Sequence, residues 1–115
     1  MATWDDNTQE GDKSKGVRHH SVGVNSGDTD SDVLDLNPRA EVTLVGDIVA
    51  SESLSIELCT DRARTNFVAA TLQDGTIKTI DTNSQTLTLA KGFTGLKITG
   101  ASQAGTSTVD VTQVF

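Results

Sequence analysis

Carboxylates are the most numerous reactive groups in this sequence, and their densest run is Asp28, Asp30, Asp32 and Asp35. Alternate acidic residues resemble the opening of a calcium loop, where oxygen ligands suit a hard cation. The pattern then departs from such a loop. Val33 stands where the loop turns on glycine, and Arg39 where it closes on a bidentate glutamate. The run reads as a solvated acidic linker, and no metal is expected. His19 and His20 are the two histidines, side by side in a hydrophilic stretch. A triad or metal site needs its members held within about 3 Å by rigid surroundings, which this stretch does not offer. Cys59 is the single cysteine, so no intrachain disulfide forms. It ends an alternating run with no activating base in view and reads as a partly buried, inert thiol. Glu41, Glu52, Glu57, Asp61, Asp74, Asp81 and Asp110 fall on polar faces or turns. None is paired in an apolar pocket that would raise its pKa. The expectation is a non-enzymatic protein with no catalytic residue and no cofactor.

The elements that position these groups follow a period of two. From Ala40 onward, Val42 and Leu44 alternate with Glu41 and Thr43. Leu54, Ile56 and Leu58 alternate with Ser53, Ser55 and Glu57; Val68, Ala70 and Leu72 follow. Leu87 and Leu89, then Leu96 and Ile98, then Val109 and Val111 continue the pattern. Each run places apolar side chains on one strand face and polar ones on the other. Turn signals lie between: Gly46-Asp47, Thr60 to Asn66, Asp74-Gly75, Asp81 to Ser84, Lys91-Gly92 and Gly100 to Gly105. Asp74-Gly75 is the firmest hairpin signal, because both residue types tolerate positive φ. About seven or eight short strands at this spacing predict an all-β fold, a small antiparallel β-sandwich or jelly-roll-like domain.

Composition divides the chain near Pro38. Residues 1–38 hold eight acidic and three basic groups and few apolar ones. Fixing each backbone residue costs about 1–2 kcal/mol, and this stretch has little apolar surface to offset that. It is predicted to be an extended or disordered N-terminal arm that reaches on the order of 100 Å. Residues 39–115 are predicted to form the β-sandwich domain. Within the arm, Trp4, Val22, Val24, Val33, Leu34 and Leu36 are apolar islands. Such islands dock into grooves or add a strand to another sheet, so these six are the candidate partner-binding residues. In the alternative, Val33 to Leu36 begin the folded domain. Val114 and Phe115 pose a similar choice between a core strand and a hydrophobic end.

The net charge of -7 opposes contact with phosphate backbones, so no nucleic-acid partner is expected. No apolar run approaches the roughly 18 residues of a membrane span, and no secretion signal is read at the start. With no disulfide and three Phe, one Trp and no Tyr, the domain is predicted to gain from assembly as a homo-oligomer. The scarcity of aromatics also argues against sugar stacking.

The order of features from Leu54 to Phe115 carries a resemblance. It runs Leu-Ser-Ile-Glu-Leu-Cys-Thr-Asp, Asn66-Phe67-Val68-Ala69, Asp74-Gly75-Thr-Ile-Lys-Thr-Ile and Gln85-Thr-Leu-Thr-Leu. It continues Gly92-Phe-Thr-Gly-Leu-Lys-Ile-Thr-Gly-Ala and closes on Thr106-Ser-Thr-Val-Asp-Val. This resembles the small β-sandwich virion accessory proteins of tailed phages, most of all capsid decoration (cement) proteins. The resemblance implies a multi-copy protein, made in the host cytoplasm, that binds the major capsid protein on the assembled head and strengthens it. It further implies a trimer that bridges capsid subunits. The alternatives it leaves are a tail, neck or head-fibre component, or a host-surface carbohydrate-binding module.

Overall fold

In a computed structural model of the chain, residues 2–25, 28–48, 54–70, 79–80, 85–99 and 106–115 are described. Ten strands run in chain order: β1 (Asp5–Asp6), β2 (Val17–Val24), β3 (Leu34–Asp35), β4 (Val42–Asp47), β5 (Leu54–Cys59), β6 (Val68–Ala69), β7 (Thr79–Ile80), β8 (Gln85–Leu89), β9 (Gly95–Thr99) and β10 (Ser107–Val114). A five-residue helix, α1 (Glu10–Ser14), precedes β2. The fold is all-β. One sheet has the order β1-β2-β10-β4-β8, and the other β3-β9-β5-β6 with β7 also on β5.

That order has a simple origin. β2 pairs with β10, β3 with β9, β4 with β8, and β5 with β6 and β7, all antiparallel. The chain is thus one long hairpin, doubled back beyond β5, whose rungs alternate between two sheets. The pairs β10·β4 and β9·β5 then close each sheet across the wrap. Two sheets wound in this way form a jelly roll.

The period-two residues meet between the sheets. Val22, Val24, Val42, Leu44, Leu89, Val109 and Val111 face inward from one sheet. Leu34, Leu54, Ile56, Leu58, Leu96 and Ile98 answer from the other, and nearly all of these side chains lose their contact with water. Removing a side chain of this size from water stabilises a fold by about 1.5–3 kcal/mol. This aliphatic core is what holds the sheets together, as the shortage of aromatics requires.

Two sequence expectations need correction. Gly46-Asp47 is not a turn but the end of β4, where Gly46 pairs with Val109 and Gln85. Nor is the stretch before Pro38 an arm. β2 lies inside the first sheet between β1 and β10, and its eight residues pair with Ser107–Val114 along their whole length. β3 forms an edge of the second sheet. The low apolar count reflects a half-exposed strand, with a polar run from Arg18 to Ser21 ahead of the buried Val22 and Val24, and not an unfolded one. The Asp74-Gly75 hairpin lies outside the described residues, as do the signals at 81–84 and 100–105.

Pro38 itself sits in a turn held by a buried side chain. Gln113 on β10 is 5% exposed. Its Oε1 accepts from the Asn37 N–H at 3.0 Å, and its Nε2 donates to the carbonyls of Asn37 at 3.0 Å and Ala40 at 3.3 Å. A glutamine amide here supplies the hydrogen bonds that a neighbouring strand cannot, because Pro38 turns the chain away. Gln113→Leu keeps the volume but leaves these groups without their partner. Its expected cost is about 1–3 kcal/mol of stability. Urea denaturation of the two proteins measures the difference directly, and an unchanged midpoint would show that the bracket contributes nothing.

Candidate functional site

The six candidate partner-binding residues are not gathered on a docking surface. Val22 and Val24, at 1% and 0% exposure, lie in the centre of the core, and Leu34 and Leu36 are buried beside them. Trp4 is half-buried against the same core. Its backbone N–H donates to Asp32 Oδ1 and its indole N–H to the Asp32 carbonyl, both at 3.0 Å. Ala2 and Asp32 exchange further backbone bonds with this region. Val33 alone is exposed, at 37%. Four of the six belong to the chain's own core and have no surface left to offer a partner, and Trp4 is half taken up by packing against that core. The alternative, that Val33 to Leu36 begin folded structure, describes β3, but the folded structure starts well before it.

The reactive groups are likewise dispersed. Asp28 accepts from the Asn25 N–H, Asp30 from the Thr29 hydroxyl, and Asp32 from Trp4, while Asp35 pairs with Arg64 at 2.9 Å. Each carboxylate of the acidic run is engaged with a different local partner. Among the described residues, no group of three or more His, Cys, Asp or Glu side chains could hold a metal ion. His19 and His20 sit next to each other on β2, so their rings leave the strand on opposite faces. His19 Nδ1 lies 3.1 Å from the Thr112 hydroxyl on the outer side, and His20 is opposite Asp6 and Val111. Two rings so placed cannot converge on one ion.

Where carboxyl pKa values move, they move downward. The Thr8 hydrogen bonds hold Asp6 below its usual range, the Asn25 N–H does so for Asp28, and the Thr65 N–H for Asp61. A proton donor working near neutral pH needs the opposite shift. Asp61 organises the 60–66 loop by accepting from the backbone of Thr65 and Asn66 and from the Thr65 hydroxyl. Its role is local and structural. Cys59 is buried, with Sγ 3.6 Å from the Thr94 hydroxyl.

The broadest ordered array of exposed side chains set by strand register is the outer face of the β1-β2-β10-β4-β8 sheet. Strand register sets Asp5, Ser21, Asp110, Val45 and Thr86 in one row across it. His19, Thr112, Thr43 and Thr88 form the next row, and Gly23, Thr108 and Asp47 another. Val45, at 41% exposure, stands near the middle. Short β-branched side chains dominate, and these have little rotamer freedom to lose on contact. At one end a shallow groove is lined by Arg39, Glu41, Thr43, Lys91, Thr112 and Val114. Val114 and Phe115 are 66% and 47% exposed there, with Arg18 over the Phe115 ring at 5.3 Å. The choice at the end of the chain thus falls to a hydrophobic end, not a core strand. Alternation about Val109 and Val111 places Thr108, Asp110 and Thr112 on the polar side of β10. The sequence held no sign that strands far apart in the chain would join them into one platform.

The class defined by this topology is the jelly-roll β-sandwich, and similarity to solved structures agrees. The SPBc2 prophage-derived protein YomS superposes over 100% of this chain and 94% of its own, with a TM-score of 0.61 and 13% identity. Oxalate oxidase in complex with the substrate analogue glycolate matches 99% of this chain with a TM-score of 0.57 and 13% identity. Peruvianin-I, a cysteine peptidase from Thevetia peruviana latex, matches 86% with a TM-score of 0.50 and 11% identity. The chain spans half the length of each of these last two. At such identities the likeness is one of fold. No protein-family model matches the chain, and no curated protein matches it by sequence.

Proposed function

We propose that this chain is a virion accessory protein of a tailed phage, a decoration protein that binds the major capsid protein on the assembled head and bridges its subunits. The observation that carries this reading is the end-to-end correspondence with a prophage-derived protein of nearly the same extent. The similar enzymes, by contrast, contain this fold as half of a longer chain. The sequence resemblance to phage virion proteins points the same way. The proposed role is non-enzymatic and needs no cofactor, in keeping with carboxylates that are dispersed, three of which (Asp6, Asp28 and Asp61) are shifted away from acid catalysis.

Attachment is assigned to the folded domain and not to an arm, because β1, β2 and β3 belong to its two sheets. The outer face of the β1-β2-β10-β4-β8 sheet is the proposed contact. It is broad, it carries Val45 at its middle, and its acidic groups Asp5, Asp47 and Asp110 would suit a basic patch on the partner. No helix among the described residues is long and apolar enough to cross a membrane.

The test mixes purified protein with phage heads that lack it, sediments the heads and counts bound copies. Saturable binding at high copy number is expected. The paired change Val45→Arg and Asp110→Lys, on exposed positions, should weaken binding about tenfold or more while leaving thermal unfolding unchanged. Absence of binding to heads by the parent protein would overturn the decoration role.

A further inference from the structure

The two sheets of a jelly roll have four edges, and this chain treats one of them unlike the rest. β1 is two residues long and carries Asp5 and Asp6. β3, β6 and β7 are also two residues each. Short, charged edges are the usual protection against pairing with another chain. β8 has neither device. It is five residues long, Gln85-Thr86-Leu87-Thr88-Leu89, with no charge, no proline and no glycine. β4 occupies one side of it, and among the described residues no strand pairs with the other.

We infer that β8 is a self-association edge, at which two copies of this chain pair antiparallel about a two-fold axis centred on Leu87. The three central residues are self-complementary in that register. Thr86 of each copy falls opposite Thr88 of the other, and Leu87 falls opposite Leu87. Sidedness is kept as well. The threonines are exposed on the outer face and meet across it, whereas Leu87 is partly buried against the core and meets its twin on the inner side. Threonine pairs and aliphatic pairs are both favourable across antiparallel strands. The two five-stranded sheets would become one continuous sheet of ten.

The same edges decide the symmetry. A threefold or other head-to-tail ring requires β8 to meet a different edge of the next copy. The other described edges are too short to match five residues, and β1 would bring two aspartates. A two-fold contact asks only that β8 recognise itself. It therefore departs from the trimer implied by resemblance, and it stands or falls independently of the virion role.

The test is sedimentation equilibrium across a concentration series, on the whole chain and two surface variants. The parent protein is expected to approach the mass of two chains as concentration rises. Thr86→Lys with Thr88→Lys places like charges opposite each other twice and should weaken association about tenfold or more. Thr86→Lys with Thr88→Glu places opposite charges across the same axis and should restore it. Thermal unfolding of each variant checks that the fold is intact. A parent that stays at one chain mass throughout overturns the proposal. So does a parent at three chain masses, a doubly lysine-substituted variant that still pairs, or a Lys/Glu variant that fails to recover.

Discussion

A chain lacking residues 1–38 should show no cooperative unfolding transition and no native β-sheet signal by circular dichroism. The deletion removes all of β1, β2 and β3, so β10 loses its eight-residue ladder and β9 loses its edge partner. It also removes Val22, Val24, Leu34 and Leu36 from the core, each at 5% exposure or less. At about 1.5–3 kcal/mol per side chain, those four alone account for roughly 6–12 kcal/mol. Small domains have net stabilities of about 5–15 kcal/mol in total, and the lost ladder adds to the deficit. A shorter deletion of residues 1–8 supplies the contrast. It takes Ala2 and the Trp4 contacts with Asp32 but spares β2, so a folded protein with a lower midpoint is expected. If the 39–115 fragment instead melted cooperatively near the parent temperature, the first three strands would be an appendage after all. Loss of head binding by that fragment would therefore report unfolding and could not locate a docking site.

The failure of the sequence to reveal this has a definite physical cause. Where both neighbours in sequence alternate cleanly, as at Leu54, Ile56 and Leu58 or Val109 and Val111, the strands were legible, and with them the all-β class. In β2 the alternating set is Val22, Gly23 and Val24 after a polar run from Arg18 to Ser21. Half of that strand faces out, and its partner lies some ninety residues further on, so composition in a local window reads as disorder. Long-range pairing supplies what local propensity lacks. β3 has the same character, with Leu34 inward and Asp35 outward in two residues. The carboxylates of the acidic run are not a bare solvated linker: Asp28, Asp30 and Asp32 bond to neighbouring groups between β2 and β3, and Asp35 pairs with Arg64. The outer-face platform was illegible for a related reason. Alternation tells which residues face away from the core, but only strand order tells which of them become neighbours.

The jelly roll also explains why a modest aliphatic core suffices. The long hairpin brings chain ends together early and late at once: β2 and β10 are neighbours, and the Gly16 carbonyl accepts from the Phe115 N–H at 2.7 Å. Gly16 has φ of +76°, and a Cβ there would clash with the Phe115 carbonyl oxygen. The close approach that seals this end of the sheet therefore requires glycine in both conformation and space. The sheet β1-β2-β10-β4-β8 is tied at this end by that closure, since β10 is its central strand and β2 pairs with it along its whole length.

The deepest cost from a single side chain is expected at Ile98, where the two kinds of support coincide. Ile98 is fully buried and pairs with Ile56 across β9 and β5. Its backbone is also the anchor for the chain ahead of β3. The Ile98 N–H donates to Ser31 Oγ at 2.9 Å, the Ser31 N–H donates to the Ile98 carbonyl at 2.8 Å, and Ser31 Oγ donates on to the Asp32 carbonyl at 2.8 Å. Ser31 is 2% exposed, so water cannot replace it. Ile98→Ala should cost about 2–5 kcal/mol through lost burial and the cavity left behind. Ser31→Ala should cost about 1–3 kcal/mol by leaving a buried N–H without an acceptor. Because both changes act on the same backbone, the double variant should depart from additivity by about 0.5 kcal/mol or more. Urea denaturation of the four proteins closes that cycle. Additive losses would mean that Ser31 secures only its own segment, and a loss below about 1 kcal/mol for Ile98→Ala would mean the sheets repack around the gap.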